Sequence, residues 1–184
     1  MSRVTVEITF YLEEIMHDIR SKVYQLGKSL KSGGNDKVEL AALLQDAEDE
    51  DADILLRSVT TSYKSLSNYL SEYMLESDET ADNVMIEEDD KQGETYHELH
   101  LTLVMPSNYN LATREAVSMN AHDYIVNKAI GSWLEFANLP QMAVEMDKQA
   151  EVSIQTVMQA INKRVRPTRV PINTQLNKST LKYE

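Results

Sequence analysis

The residues whose type and spacing come nearest to a chemical site are Asp49, Asp51 and Asp53, which alternate as the first three ligands of a calcium-binding loop do. The match stops there. Ile54 stands where such a loop needs glycine for its turn, and Thr60 stands where a bidentate glutamate should close the shell. Acids just ahead of a helix have a simpler account, because they interact favourably with the positive end of its dipole. His97-Glu98-Leu99-His100 invites comparison with zinc motifs, but a spacing of three in a strand sends the two imidazoles to opposite faces. His17 and His122 each fall on a helical stretch with no second ligand at i+4, which reads as a packed or solvated side chain.

Other signatures are missing. Gly27, Gly33, Gly34, Gly93 and Gly131 form neither a phosphate loop nor a dinucleotide fingerprint, and no Gly-x-Ser-x-Gly elbow is present. With no cysteine, thiol nucleophiles, thiolate metal sites and disulfides are all excluded. Tyr63, Tyr69 and Tyr73 share one helical stretch, yet too little positive charge accompanies them to hold a phosphate backbone, so packing is the better account. The nine methionines likewise suit adaptable packing surfaces. The chain therefore reads as a protein that is not an enzyme, with no catalytic, cofactor or metal residues expected.

The elements that would carry these residues are mainly helical. Val4, Val6 and Ile8 alternate with polar residues as a short extended lead-in, and the period then changes. Leu12, Ile15, Met16, Ile19, Val23 and Leu26 predict a helix over about 10–27, with Thr9 as N-cap and Gly27 as stop. Asp36 and Glu39 have the form of a capping box for a short helix near 37–46. From Ala52 to Met74 an apolar face runs through six turns. Residues 76–98 carry ten acids and one lysine, a solvated hairpin or loop, before Leu99, Leu101, Leu103 and Met105 mark a strand over 96–104. Val84 and Ile86 are the expected source of its partner strand.

After Pro106 a long helix is expected to about Ala137, and Pro140 opens another in which Ala143, Met146, Ala150, Ile154, Val157, Ile161 and Val165 repeat at three and four residues. So short a connector favours an antiparallel hairpin. The expected fold is mainly α: a small helix bundle with a β-hairpin or small sheet and an extended C-terminal arm. Its core should include Leu56, Val59, Leu66, Tyr124, Trp133 and Leu134. The expected organisation is a helical domain over 1–165, with the acidic hairpin inserted at about 76–105, followed by an arm over 166–184.

At 184 residues the chain suits one domain, and its 42% hydrophobic and 26% charged content is ordinary for a folded protein. No apolar run is long enough to cross a membrane and the start lacks a secretory stretch, so a soluble cytoplasmic product without membrane contact is expected. The net charge of −12 repels nucleic acid and anionic membranes. One region departs from it. From Arg166 onward four basic side chains face one acid, so the arm carries +3 and residues 1–165 carry −15. The prolines and lost period deny the arm a core of its own, leaving Arg166 and Arg169 to seek carboxylates such as those of 46–53 or 76–98, and Ile172, Leu176 and Leu181 to seek apolar pockets, on an adjacent subunit or partner.

Three stretches carry a resemblance: 53–59 leading into 66–73, Leu101-Thr102-Leu103-Val104-Met105-Pro106, and 122–134, which ends in Ser132-Trp133-Leu134. Their order, together with the Lys163-Arg164-Val165-Arg166-Pro167 exit, resembles the head-tail connector, or adaptor, proteins of tailed bacteriophages, especially those of phages of gut Bacteroidetes. The resemblance implies a structural virion protein, made in the bacterial cytoplasm, whose copies form a ring, often a dodecamer, at the head-tail junction. Its partners would be itself, the portal protein above and the next tail or ring protein below, with DNA passing nearby without specific binding. The acidic 76–98 stretch and the first helix depart from the compact adaptors. A second reading of the same charge pattern is an acidic helical regulator or DNA-mimic protein that occupies a site on a host or phage partner.

Overall fold

The computed structural model describes residues 3–32, 52–74, 85–89 and 95–166. The alternating lead-in forms strand β1 (Arg3–Tyr11), which turns directly into helix α1 (Leu12–Ser32). Helix α2 (Ala52–Tyr69), strands β2 (Met85–Asp89) and β3 (Thr95–Pro106), and helices α3 (Arg114–Phe136) and α4 (Pro140–Ile161) follow. The fold is mainly helical with a small antiparallel sheet, as the two hydrophobic periods imply.

The sheet has the order β1-β3-β2. β3 is its central strand: β1 pairs along it from Arg3 opposite Pro106 to Tyr11 opposite Glu98, and β2 pairs beside its start, from Met85 opposite Leu99 to Asp89 opposite Thr95. Strand side chains alternate between faces, so Val6, Ile8 and Phe10 join Leu99, Leu101, Leu103 and Met105 on one buried face. The expected partner strand is present through Ile86, while Val84 lies outside the described residues. β3 thus belongs to the core of the domain as well as to the acidic hairpin.

Helix α3 sits at the centre. Tyr124, Ile125, Val126 and Asn127 are all buried, as are Ala129, Ile130 and Gly131, and consecutive buried residues take in more than one face of a helix. α4, α2 and α1 surround it, adding Ala150, Val157 and Ile161, then Leu55, Val59 and Leu66, then Ile15, Ile19 and Val23 to the same core. At Gly131 the helices approach closely: a Cβ there would stand 2.8 Å from Asp147 Oδ1 and 3.5 Å from the Ala143 carbonyl oxygen. Buried polar groups are matched across elements. Lys22 Nζ donates to Asn127 Oδ1 at 3.1 Å, and the hydroxyls of Ser65 and Tyr124 meet at 2.9 Å. Thr113 Oγ1 lies 2.9 Å from the Tyr109 hydroxyl and 3.1 Å from the Ala160 carbonyl oxygen, fastening the start of α3 to the end of α4.

Of the expected core, Val59, Leu66, Tyr124, Trp133 and Leu134 are buried. Leu56 is a correction: it is partly buried at the margin, because α2 turns Leu55 inward instead. Several boundaries also differ: the helix expected directly after Pro106 begins only at Arg114, and α4, expected to reach Val165, ends at Ile161. Thr9 is a strand residue and caps nothing, since pairing with β3 holds the chain extended as far as Tyr11. Gly27 does not stop α1, which runs to Ser32; burial of Ile19 and Val23 in the core, with Leu26 packed against it, outweighs a helical penalty of about 1 kcal/mol for glycine. α2 ends at Tyr69 because Met74 turns extended to bridge Leu103. The short helix near 37–46 lies outside the described residues.

The α3–α4 connection is fixed by its backbone. The Asn138 N–H donates to the Glu135 carbonyl at 3.1 Å and the Leu139 N–H to the Leu134 carbonyl at 2.9 Å, a Schellman closure that leaves Asn138 at φ 58°. Asparagine tolerates that left-handed conformation better than most residues with a side chain, and Pro140 then starts α4 without needing an N–H partner. Replacing Asn138 by alanine should cost about 1 kcal/mol, whereas glycine should be nearly neutral. Chemical denaturation of both variants checks this, and equal losses for the two would show that the left-handed backbone is not the constraint.

Candidate functional site

The first turns of α1, which continues directly from β1, and the first half of α3 leave a groove of about 640 Å³ between them. Thr9 and Phe10 lie at its base. Glu13, Glu14, His17 and Asp18 come from α1, and Ser118, Met119, His122 and Asp123 from α3. Four carboxylates line this groove and no lysine or arginine does. Three other grooves on the described surface each include a cation: Arg3 and Arg164 in one, Arg57 in a second, Lys22 and Lys148 in a third.

At the centre of the groove, His122 Nε2 donates to Asp18 Oδ2 at 3.0 Å, and His17 Nδ1 stands 3.5 Å from Asp18 Oδ1. Phe10 packs at a tilt against the His122 ring, with centroids 6.5 Å apart. The His122 hydrogen bond holds the Asp18 carboxyl below its ordinary pKa; burial opposes this, and His17 adds to the lowering. Lys22 reaches Asp123 at 3.9 Å. Glu13 and Glu14 lie in the first turn of α1, where the helix dipole favours them, and no described residue pairs with either. Met119 is 63% exposed beside them. The arrangement can attract and orient a cationic segment and offer it some apolar contact.

The remaining residues singled out above are dispersed. His100 lies on the sheet's polar face, with Nδ1 3.3 Å from Thr9 Oγ1 and Nε2 3.0 Å from Glu98 Oε2. Asp53 opens α2, while Asp49 and Asp51 lie outside the described residues. Among the described residues no group of three or more His, Asp or Glu is arranged to hold a metal ion. Tyr63 and Tyr124 do packing work. The Tyr63 hydroxyl donates to the His100 carbonyl, and burial raises the pKa of both phenols. Lys128 pairs with Asp147 at 2.9 Å between α3 and α4; burial works against its charge, but Asp147 outweighs it and the pKa is raised.

Of the arm, Arg166 is described and exposed, whereas Arg169, Ile172, Leu176 and Leu181 lie outside the described residues. The chain reaches Arg166 by a fixed route: the Val165 N–H donates to the Asn108 carbonyl at 2.9 Å, and the Asn110 N–H to the Lys163 carbonyl at 3.2 Å. Sequence reasoning treated His17 and His122 as isolated. It had no means of finding Asp18 beside His122, since 104 positions separate them.

No family model matches the chain, and neither a curated protein nor a solved structure does.

The lowered Asp18 pKa fixes the sign of one pH effect. The folded value lies below the unfolded one, so the contribution to stability is full above the unfolded value, about pH 4, and is lost as pH falls through the folded value. Asp18→Asn should therefore lose less stability than the parent chain between about pH 5 and 2. Parallel acid titrations of denaturant midpoints measure this, and identical slopes would mean that the Asp18–His122 bond does not form in solution.

Proposed function

We propose that the chain is a non-catalytic assembly protein, a head-tail connector subunit of a tailed bacteriophage whose copies close into a ring between portal and tail. One observation carries this reading: opposite charges occupy opposite ends of the domain. The carboxylate groove lies at the Thr9–Phe10 end of β1. The basic exit through Lys163, Arg164 and Arg166 lies beside the Arg3–Pro106 end. With about 3.3 Å per strand residue, these ends are roughly 20 Å apart. Two different, complementary surfaces make a head-to-tail contact, and such contacts generate rings when the rotation closes.

The electrostatics of the body suit the same role. A subunit carrying −15 over residues 1–165 repels DNA passing through a channel, and the phosphate backbone would find few cations to hold it. The resemblance in chain order to connector proteins supports the assignment to the head-tail junction. Exposed Phe136, at the tip of the α3–α4 hairpin, and Val144 and Val152, along α4, offer apolar contact to neighbouring proteins.

Native mass measurement of the purified full-length chain tests the ring. The expected result is a closed oligomer of a single stoichiometry that dissociates as salt is raised, because charged contacts are screened. A monomer or dimer at every protein and salt concentration would overturn the ring and favour an acidic regulator or DNA mimic.

A further inference from the structure

We infer that the groove between α1 and α3 is the receptor for the basic C-terminal arm, residues 166–184, of a neighbouring copy. The inference rests on the ring reading and names the contact that would hold the ring together.

Among the grooves of the described surface, charge favours this one. Glu13, Glu14, Asp18 and Asp123 line it without a lysine or arginine, whereas three other grooves on the described surface each offset their acids (Glu72; Glu135; Asp123 and Glu145) with at least one cation and so attract the arm less. Glu13 and Glu14 have no partner among the described residues, so an incoming cation need not displace one from them. At Asp123 it would compete with Lys22, whose 3.9 Å separation marks a loose pair. The arm brings Arg166, Arg169, Lys178 and Lys182 against the single acid Glu184.

Shape and chemistry suit an extended segment. Prolines at 167 and 171 disfavour helix in the first part of the arm, and Ile172, Leu176 and Leu181 punctuate its polar residues. Exposed Met119 offers such side chains an apolar seat whose unbranched thioether adapts to what it meets. Reach is sufficient. Eighteen residues follow Arg166, and a fully extended chain of that length spans about 60 Å, against the roughly 20 Å that separates exit and groove within one copy. The surplus lets the arm cross to the next subunit. Ring closure then multiplies a contact that is weak in one pair, since each copy both gives and receives an arm.

A charge-swap series in the full-length chain tests this. Glu13→Lys with Glu14→Lys reverses the groove, and Arg166→Glu with Arg169→Glu reverses the arm; all four positions accept charge at an exposed surface or beyond the described fold, and circular dichroism checks that each variant folds. Each reversal alone should weaken assembly by about tenfold or more in sedimentation, and the two together should restore it to within a few-fold of the parent. Reversals that leave assembly unchanged, or a combination no better than either half, would overturn the inference.

A labelled peptide of residues 163–184 added to the full-length chain separates the two proposals. Saturable binding that Glu13→Lys/Glu14→Lys abolishes supports the groove as receptor even if the chain alone forms no ring. A ring whose chain fails to bind the peptide, and whose mass ignores the swaps, removes this contact while leaving the ring reading in place.

Discussion

The central position of α3 is the constraint on which the other elements depend. A helix buried at Tyr124, Ile125, Val126 and Asn127 in succession must be covered on several sides through its middle, while Glu115, Met119 and Asp123 of its first half stay at the surface. α4 covers one side at close range, which the missing side chain of Gly131 permits. α2 and α1 take the others, and the buried face of the sheet completes the core. The polar groups this burial traps are answered from different elements: Asn127 by Lys22 of α1, Tyr124 by Ser65 of α2, Thr113 by the Ala160 carbonyl of α4. A buried group left without a partner costs more than a made hydrogen bond gains, so these ties also select one arrangement of the helices.

That arrangement creates the groove. α1 starts where β1 ends, and α3 passes β1 closely enough for Arg114 to donate to the Glu7 carbonyl oxygen at 2.7 Å. The two helices are further joined across the groove by His122 and Asp18. The acids of the first α1 turn favour their own helix dipole and face the groove as well, so one local preference serves both folding and surface charge. At the far end of β1, the backbone bonds between 108–110 and 163–165 direct the basic exit away from the acidic surface. Charge segregation thus follows from the strand's two ends.

Much of this was legible in the sequence, and the omissions share a physical origin. Periods of 3.6 and 2 located the strands and all four described helices, and the Pro140 start of α4 was read directly. Periodicity marks which face is apolar, so Tyr124, Trp133 and Leu134 of α3 were expected in the core but not Val126, Asn127 or Ile130, whose burial depends on neighbours. Leu56 was expected inside because it adjoins the apolar face of α2, but it lies at the edge of that face, whose centre runs through Leu55, Val59 and Leu66. The β1–β3 pairing and the Asp18–His122 contact join distant positions, and nothing local to either partner announces the other. Conversely, the arm's charge was plain from composition, but the groove it complements exists only once α1 and α3 are side by side.

The central claim is that this chain is a structural part of a particle. If the proposed role is right, quantitative mass spectrometry of purified particles from a phage whose genome carries this sequence, with the portal protein as internal standard, tests it most directly. The account predicts that the chain stays with particles through density-gradient purification, at a fixed copy number relative to portal that fits one closed ring. Its absence from purified particles, with full recovery in the soluble lysate, would contradict the account.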